Sequence, residues 1–569
     1  MNSEILLLTA PYSKCLFGPL SAVPCLVSQL KNHGGYSVAQ YDLNIEHMNF
    51  FLTGYRVKCL GGIIITAAIY RELYFKLNLS LLNKLTHEII EAYASSPIHI
   101  NKNNCSSEYA AISLKYQLDS LSDKDQLMDT FQKSNAYRKV ISTSPVLVGF
   151  SISTDQQLLA SCLYSDYLKA TRPQTKIVFG GWLPTRIVQF DDKEKLEELL
   201  NYCDFLVIGE GETAISLLAD FCVSSTGDLS AIPNLCYIAE TGDVRVNEIP
   251  HLETVESLPP PDYSDVDFSL YLSPTRYVSY QASRGCFWGK CGFCGRPKSA
   301  RTDYRIKPHQ KVVDDLVYLK ETVGSEIYVY FADEAIAPEY FAEIVNEMDK
   351  RNDYEGIKWA SYMRISSRYE DEIIAKARKN GYDMVFFGVE TFSERLSHLI
   401  RKGINVGIIE DVLRLFKHYD IKVRVFMMSC LPSQTIEEMR DDMENILLLS
   451  GLIDSLKLTR FELTENTDMY YEPELFNIIA IDRENKTFTH HKDNLEIDMQ
   501  SLINIEENEY RTLECLVSRS DTFHHITALG LRDDASKRYY EFECSRGKID
   551  SNYINSVDLR QKWQKIVNA

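Results

Sequence analysis

Six apolar segments of strand length recur from position 277 onward, at 277–282, 327–331, 358–362, 384–389, 422–428 and 455–461, with helical stretches such as 311–322, 370–379 and 406–418 between them. Alternation of this kind demands a parallel sheet, because each strand has to be carried back to the same end by a crossover. Six consecutive units predict a partial (β/α)6 TIM-like barrel, in which ligand loops follow the carboxyl ends of the strands.

A first alternation precedes it, with strands at 5–8, 37–43, 146–151, 176–179 and 205–208 and helices at 21–32, 156–171 and 212–221. This is the pattern of a Rossmann-like, doubly wound parallel sheet with its ligand crevice at the strand carboxyl ends. From 47 to 144 the rhythm changes to tyrosine- and leucine-rich stretches without strand alternation, which predict a helical insertion. Residues 234–249 read as a hairpin around Thr241-Gly242, and Pro259-Pro260-Pro261 marks a linker over 251–274. The α/β organisation expected is therefore 1–250, linker, barrel over 275–465, and a small C-terminal cap over 466–569, where the sequence turns polar and irregular.

At 569 residues the chain has material for more than one core, and 61 basic against 80 acidic residues give a formal net charge of -19, which argues against a nucleic-acid partner. No apolar run reaches the ~20 residues of a membrane span, and Glu4 stands where a basic leader segment would be. The expectation is a cytoplasmic protein with no membrane association.

Of fourteen cysteines, three fall within nine residues: Ser283-Arg284-Gly285-Cys286-Phe287-Trp288-Gly289-Lys290-Cys291-Gly292-Phe293-Cys294-Gly295. The segment follows the first barrel strand, where a ligand loop belongs, and its glycines let the backbone wrap a compact metal centre. Three thiolates leave one iron of a cubane uncapped and open to a ligand. A structural zinc site is the alternative, but no fourth thiol or histidine stands at finger-like spacing. The other cysteines read as core thiols.

With these residues the chain resembles the radical S-adenosylmethionine (SAM) superfamily over about 275–465. The family's usual spacing is C-x3-C-x2-C; here the first gap is one residue longer. The resemblance implies a [4Fe-4S] cluster on Cys286, Cys291 and Cys294, and SAM contacts from Phe293 (adenine), Asp333 and Glu334 (amino group), Glu390 (methionyl or ribose part) and Arg364 (carboxylate). Leu396-Ser397-His398-Leu399-Ile400-Arg401-Lys402-Gly403 resembles the helix and Lys-Gly turn found at this point in many members; it supports the fold, and His398 reads as a helix-face residue.

Over 1–250, apart from the insertion, the chain resembles the cobalamin-binding domain that precedes the barrel in one large radical SAM subgroup. The matching pieces are Asp42-Leu43-Asn44, Val148-Gly149-Phe150-Ser151, Phe179-Gly180-Gly181 and Ile208-Gly209-Glu210-Gly211-Glu212. The resemblance implies cobalamin contacts from Ser151, Gly180, Gly181, Gly209, Glu210 and Gly211. The last loop opens a helix whose N-terminus suits an anionic group. The histidine motif D-x-H-x-x-G is absent, and His47 reads as a surface residue.

The activity implied is cobalamin-dependent methylation of an unactivated carbon in a small metabolite or peptide. One SAM would methylate cob(I)alamin and a second would yield a 5′-deoxyadenosyl radical, with electrons from a flavodoxin- or ferredoxin-type donor. The alternatives are rearrangement, cyclisation or oxidation without methyl transfer, and a zinc-stabilised binding protein with no enzymatic activity. A methylthiotransferase fits less well, since no basic RNA-binding appendage is visible.

Overall fold

The structure is a computed structural model and describes residues 4–54, 58–59, 63–64, 66–76, 79–94, 114–119, 121, 124–189, 193–247, 251–295, 303–351, 353–461, 463–464, 467–482 and 487–490. The expected C-terminal cap therefore lies largely outside the described residues. The chain divides into two compact units, the first running to Val278 and including Glu321–Gly324, the second built from Ser279 onward.

In the first unit, strands β1 (Glu4–Thr9), β2 (Ser37–Asp42), β3 (Leu147–Ser151), β4 (Lys176–Gly180), β5 (Phe205–Val207), β6 (Leu235–Ile238) and β7 (Val244–Val246) form one sheet in the order β2-β1-β3-β4-β5-β6-β7. The first five are parallel, and β6 and β7 are antiparallel, a hairpin turning at Gly242 with φ +87°. Ile5, Leu6 and Leu8 are fully buried, as a central parallel strand covered on both faces must be. Helices Ala22–His33 and Glu212–Ser224 cover one face, placing Val23, Val27, Leu30, Ile215 and Leu218 against Ile5, Leu7 and Val178. The helix Asp155–Thr171 starts at a capping box, Thr154 and Gln157 each satisfying the other's backbone N–H.

Between β2 and β3 the described residues form helices Leu43–Gly54, Ala67–Lys76, Leu79–Ala94, Leu114–Asp119, Lys124–Lys133 and Asn135–Thr143, with a short ladder pairing Lys58–Cys59 and Ile63–Ile64. The segment after the three prolines is bound to the first unit along its length. Gln40 Nε2 donates to the Asp262 carbonyl (2.7 Å), Lys31 Nζ pairs with Asp262 (2.9 Å) and Asp265 (3.1 Å), and the Tyr271 hydroxyl donates to Asp42 (2.7 Å).

The second sheet contains β8 (Arg276–Tyr280), β9 (Ile327–Phe331), β10 (Lys358–Met363), β11 (Tyr382–Glu390), β12 (Lys422–Ser429) and β13 (Ser455–Arg460), and its spatial order is its sequence order. From β9 to β13 every pair is parallel, the arrangement of a curled half-barrel. Strand alternation gives it two apolar faces. Trp359 and Tyr382 pack with the helix residue Phe341 on one, their rings tilted or edge-on and the Trp359 and Tyr382 centroids 4.4 Å apart, while Tyr330, Tyr362, Phe386 and Phe426 cluster on the other. Helices His309–Val323, Pro338–Asp349, Asp371–Lys379, Ile409–His418 and Ile436–Leu448 make the returns. Among the described residues no helix is long and apolar enough to cross a membrane.

Candidate cofactor sites

The cysteine loop leaves β8 at a point fixed by a buried carboxylate. Asp333, just past β9 and 1% exposed, accepts from the Ser283 N–H and Oγ at 2.5 Å each and from the Ala282 N–H at 3.3 Å. Burial pushes its carboxyl up to about 6 despite these donors. The Asp333 side chain is thus engaged by the root of the loop. Glu334, the next residue, is half-buried.

Within the loop Gly285 and Gly289 adopt φ +84° and +64°, which side-chain-bearing residues avoid. Cys286, Cys291 and Cys294 are all half-buried, and the Cys294 N–H closes a turn onto the Cys291 carbonyl at 3.2 Å. Gly292 is the anchor between them. Its N–H donates to the Ile400 carbonyl (2.9 Å), its carbonyl accepts from the Met469 N–H (3.1 Å), and a Cβ there would run into the Phe476 ring. The Trp288 indole N–H donates to the Arg401 carbonyl (2.9 Å), and its ring lies against Gly403, whose φ is +67°. Among the described residues no three His, Cys, Asp or Glu side chains converge as they would on a single ion. A cubane asks for less convergence, since each thiolate ligates a different iron. Three half-buried thiols on a glycine-bent loop at a barrel strand's carboxyl end fit that group.

Beside the loop, Glu390 ends β11 with φ +70° after a register shift, and Lys402 Nζ donates to its Oε1 at 2.7 Å. The two side chains are 11% and 8% exposed. The pair explains Gly388, where a Cβ would stand 2.6 Å from Lys402 Nζ and 2.8 Å from Glu390 Oε1. Lys402 Nζ also lies 5.8 Å from the centre of the Phe293 ring, so Phe293, Lys402 and Glu390 form one continuous patch. Asp442 backs this strand end, accepting from Thr391 Oγ1 (3.1 Å) and the Phe392 N–H (2.6 Å), and burial pushes its carboxyl up to about 7. Arg364 is turned toward the cysteine loop: Nη1 lies 3.9 Å from Cys291 Sγ, and Nη2 donates to the Lys402 carbonyl. His398 is exposed on the short helix Glu394–Leu399.

The second unit thus brings Arg364 to Cys291, links Glu390 through Lys402 to Phe293 beside Cys294, and puts Asp333 on the Ser283 backbone three residues before Cys286. Sequence reasoning missed Trp288 as a structural wedge, Lys402 as the partner of Glu390, and Met469 and Phe476 as supports of the loop. The signal for Trp288 was present: it sits in the cysteine gap that is one residue too long.

At the carboxyl ends of the first sheet, Ser151, Gly180 and Gly181 close β3 and β4. Gly181 has φ +105°, and a Cβ there would come within 2.5 Å of the Ile152 carbonyl oxygen. Gly209 has φ +77°, and its N–H donates to Thr185 Oγ1 at 2.9 Å. Glu210 is tied on both sides: its carboxylate accepts from the Glu253 N–H (2.7 Å) and its carbonyl from Asn234 Nδ2 (2.9 Å). Gly211 is the N-cap of the following helix, and the Glu253 carboxylate takes the Thr213 N–H and hydroxyl there, each at 2.8 Å. A carboxylate of the chain itself thus meets the helix N-terminus that suited an anion. Asp42 caps the helix Leu43–Gly54 by accepting from the Asn44 N–H (2.9 Å) and the Ile45 N–H (3.2 Å), and burial raises it to about 6.

His47 corrects the sequence reading. It is 1% exposed, its ring stands edge-on to Tyr12 (centroids 5.9 Å apart) and packs beside Tyr164, and burial lowers its pKa to about 3. It is covered by Tyr12 from the loop after β1 and by Tyr164 from the helix Asp155–Thr171, which the sequence around it does not announce.

Residues 280–446 match the family model for the radical SAM superfamily. Similar curated proteins include an uncharacterized methyltransferase of Pyrococcus horikoshii, 25% identical over 322 residues that make up 55% of this chain and 66% of that protein. A 4'-phospho-dehydrooxetanocin synthase of Priestia megaterium is 23% identical over 376 residues, 61% of this chain and 47% of that protein. The hopanoid C-3 methylase of Methylococcus capsulatus is 22% identical over 319 residues, 53% of this chain and 56% of that protein. The chain spans about half to two thirds of the length of these relatives. Among solved structures, TsrM from Kitasatospora setae, with cobalamin and a [4Fe-4S] cluster bound, superimposes with a TM-score of 0.52 at 17% identity, covering 83% of this chain and 78% of that one. OxsB with aqua-cobalamin and SAM bound gives 0.55 at 14% identity, covering 86% and 64%. These likenesses establish the fold of both sheets.

Proposed function

We propose that this radical SAM chain, which shares its fold with the cobalamin-bound proteins TsrM and OxsB, is a cobalamin-dependent methyltransferase acting on an unactivated carbon of a small molecule or peptide. The observation that carries the reading is the cysteine loop: Cys286, Cys291 and Cys294 at the carboxyl end of the first barrel strand, flanked by Phe293 and the buried Glu390–Lys402 pair. The three thiolates hold the cluster, and Phe293 offers its ring to the adenine of SAM. Glu390, fixed by Lys402, presents its second oxygen to the ribose or methionyl part, and Glu334 faces the amino group. Asp333 holds the loop root, so the thiols keep their places when ligands exchange. When bound, the reduced cluster supplies the electron that cleaves SAM and the cobalt of cobalamin carries the methyl group. Ser151, Gly180, Gly181 and Gly209 supply backbone and small side chains that let the corrin ring approach closely. A flavodoxin- or ferredoxin-type protein delivers the electron.

The test needs no known substrate. Protein reconstituted anaerobically with iron, sulfide and cobalamin, then reduced and given SAM, is expected to form both S-adenosylhomocysteine and 5′-deoxyadenosine. A second reading, radical rearrangement or cyclisation without methyl transfer, is kept open because one relative is named a synthase and not a methyltransferase. It predicts 5′-deoxyadenosine without S-adenosylhomocysteine. Neither product would refute both.

A further inference from the structure

We propose that Arg364 is a positioning residue that sets the reduction potential of the cluster, and that the extra residue in the first cysteine gap exists to seat it through Trp288. The inference rests on the cluster reading above. The gap Phe287-Trp288-Gly289-Lys290 is where this chain departs from the family spacing, and Trp288 is pinned there from two sides. Its indole N–H donates to the Arg401 carbonyl at 2.9 Å, and its ring occupies the space a side chain at Gly403 would need.

The pinned ring makes one wall for Arg364. The guanidinium carbon lies 4.7 Å from the Trp288 ring centre and 5.9 Å from that of Phe287, within cation–π range of both. Nη2 donates to the Lys402 carbonyl, and Nη1 is left directed at Cys291 Sγ, 3.9 Å away. With Arg364 only 7% exposed, a permanent positive charge is fixed beside a ligand sulfur in a poorly screened place. One-electron reduction of the cluster by the external donor adds a negative charge, which that guanidinium stabilises, so Arg364 raises the potential. Lys290 offers the internal contrast: its Nζ is 5.1 Å from the centre of the same Trp288 ring, but the residue is exposed and its charge is screened.

The experiment is an EPR-monitored redox titration of the full reconstituted chain without SAM, beside iron and sulfide analysis of each variant. Arg364→Gln is expected to change the reduced-to-oxidised ratio at fixed potential at least tenfold toward the oxidised form, a downward midpoint shift of about 59 mV for a one-electron couple. Arg364→Lys should retain part of the wild-type potential, Trp288→Leu should shift it in the same direction by less, and Lys290→Gln should leave it within a twofold change of ratio. A wild-type midpoint in a cluster-containing Arg364→Gln protein would overturn the inference and leave the cluster reading standing. If that variant fails to retain iron, a wild-type midpoint in Trp288→Leu overturns it instead. Wild-type protein that takes up no iron and sulfide would sink both.

Discussion

At the carboxyl end of the first sheet, polar side chains are turned inward on the chain: Asp42 caps a helix, Glu253 caps another, and Thr185 and Asn234 hold the loop at Gly209 and Glu210. At the carboxyl end of the second sheet, a lysine and a glutamate are buried against each other and an arginine is aimed at a cysteine sulfur. The contrast separates two ways of building a ligand site. The first rim is built on glycines: Gly181 packs on the Ile152 backbone and the Gly209 N–H is held by Thr185. The second keeps charged groups in place beside thiols, suited to a charged ligand and to electron transfer. One element is common to both: Asp42 and Asp333 are strand-end carboxyls that hold backbone N–H groups, Asp42 those of the turn that follows it and Asp333 those of Ala282 and Ser283 about 50 residues earlier.

The largest effect that would sharpen this comparison is confined to the second rim. Cys286→Ala, Cys291→Ala and Cys294→Ala should each abolish iron incorporation and SAM cleavage while leaving cobalamin binding intact; loss of cobalamin binding in all three would show that the two sites are not separable. Next comes Lys402→Met, which strands the Glu390 carboxylate in a site where the pair is 8% and 11% exposed. Removing one partner of such a buried pair costs roughly 3–5 kcal/mol, readable by urea unfolding, with Glu390→Gln in the Lys402→Met background recovering a large part of it.

The shared aspartates give a pH signature. Both have carboxyls raised from 3.8 to about 6 by burial, so between those values the folded chain binds protons that the unfolded chain has released. Stability contributed by these groups therefore falls as pH rises from about 4 to 6, by on the order of 2–3 kcal/mol for each group. Urea titrations of the apoprotein at pH 4.5 and 6.5 should show a wild-type minus Asp333→Asn difference that changes in this direction, and the same for Asp42→Asn. A difference independent of pH would contradict the burial argument. The smallest effect belongs to the first rim: Glu253→Gln keeps an acceptor for the Thr213 N–H but removes the charge from the helix N-terminus, costing about 0.5–1 kcal/mol.

The two alternations of strand and helix were legible because buried parallel strands are near-continuous apolar runs. All six barrel strands end within two residues of their expected limits. The loop itself was legible from its clustered cysteines and glycines and from its place after the first barrel strand. What sequence could not separate were groups that look alike locally. Asp333 and Glu390 both end barrel strands, and only the fold decides that one meets the Ser283 backbone from 50 residues away and the other meets Lys402. The three prolines resemble a free linker, yet the segment after them is bound by Lys31, Gln40 and Asp42, more than two hundred residues earlier. His47 went wrong for the same reason, since burial by Tyr12 and Tyr164, distant in sequence, leaves no mark beside the residue.

The most direct test of the central claim, that three thiolates hold a cluster with one iron open to SAM, is EPR spectroscopy of anaerobically reconstituted, dithionite-reduced protein recorded with and without SAM. The expected result is a [4Fe-4S]+ signal whose shape changes when SAM is added, lost in the Cys291→Ala variant. A signal indifferent to SAM, or protein carrying zinc and no sulfide, would contradict it.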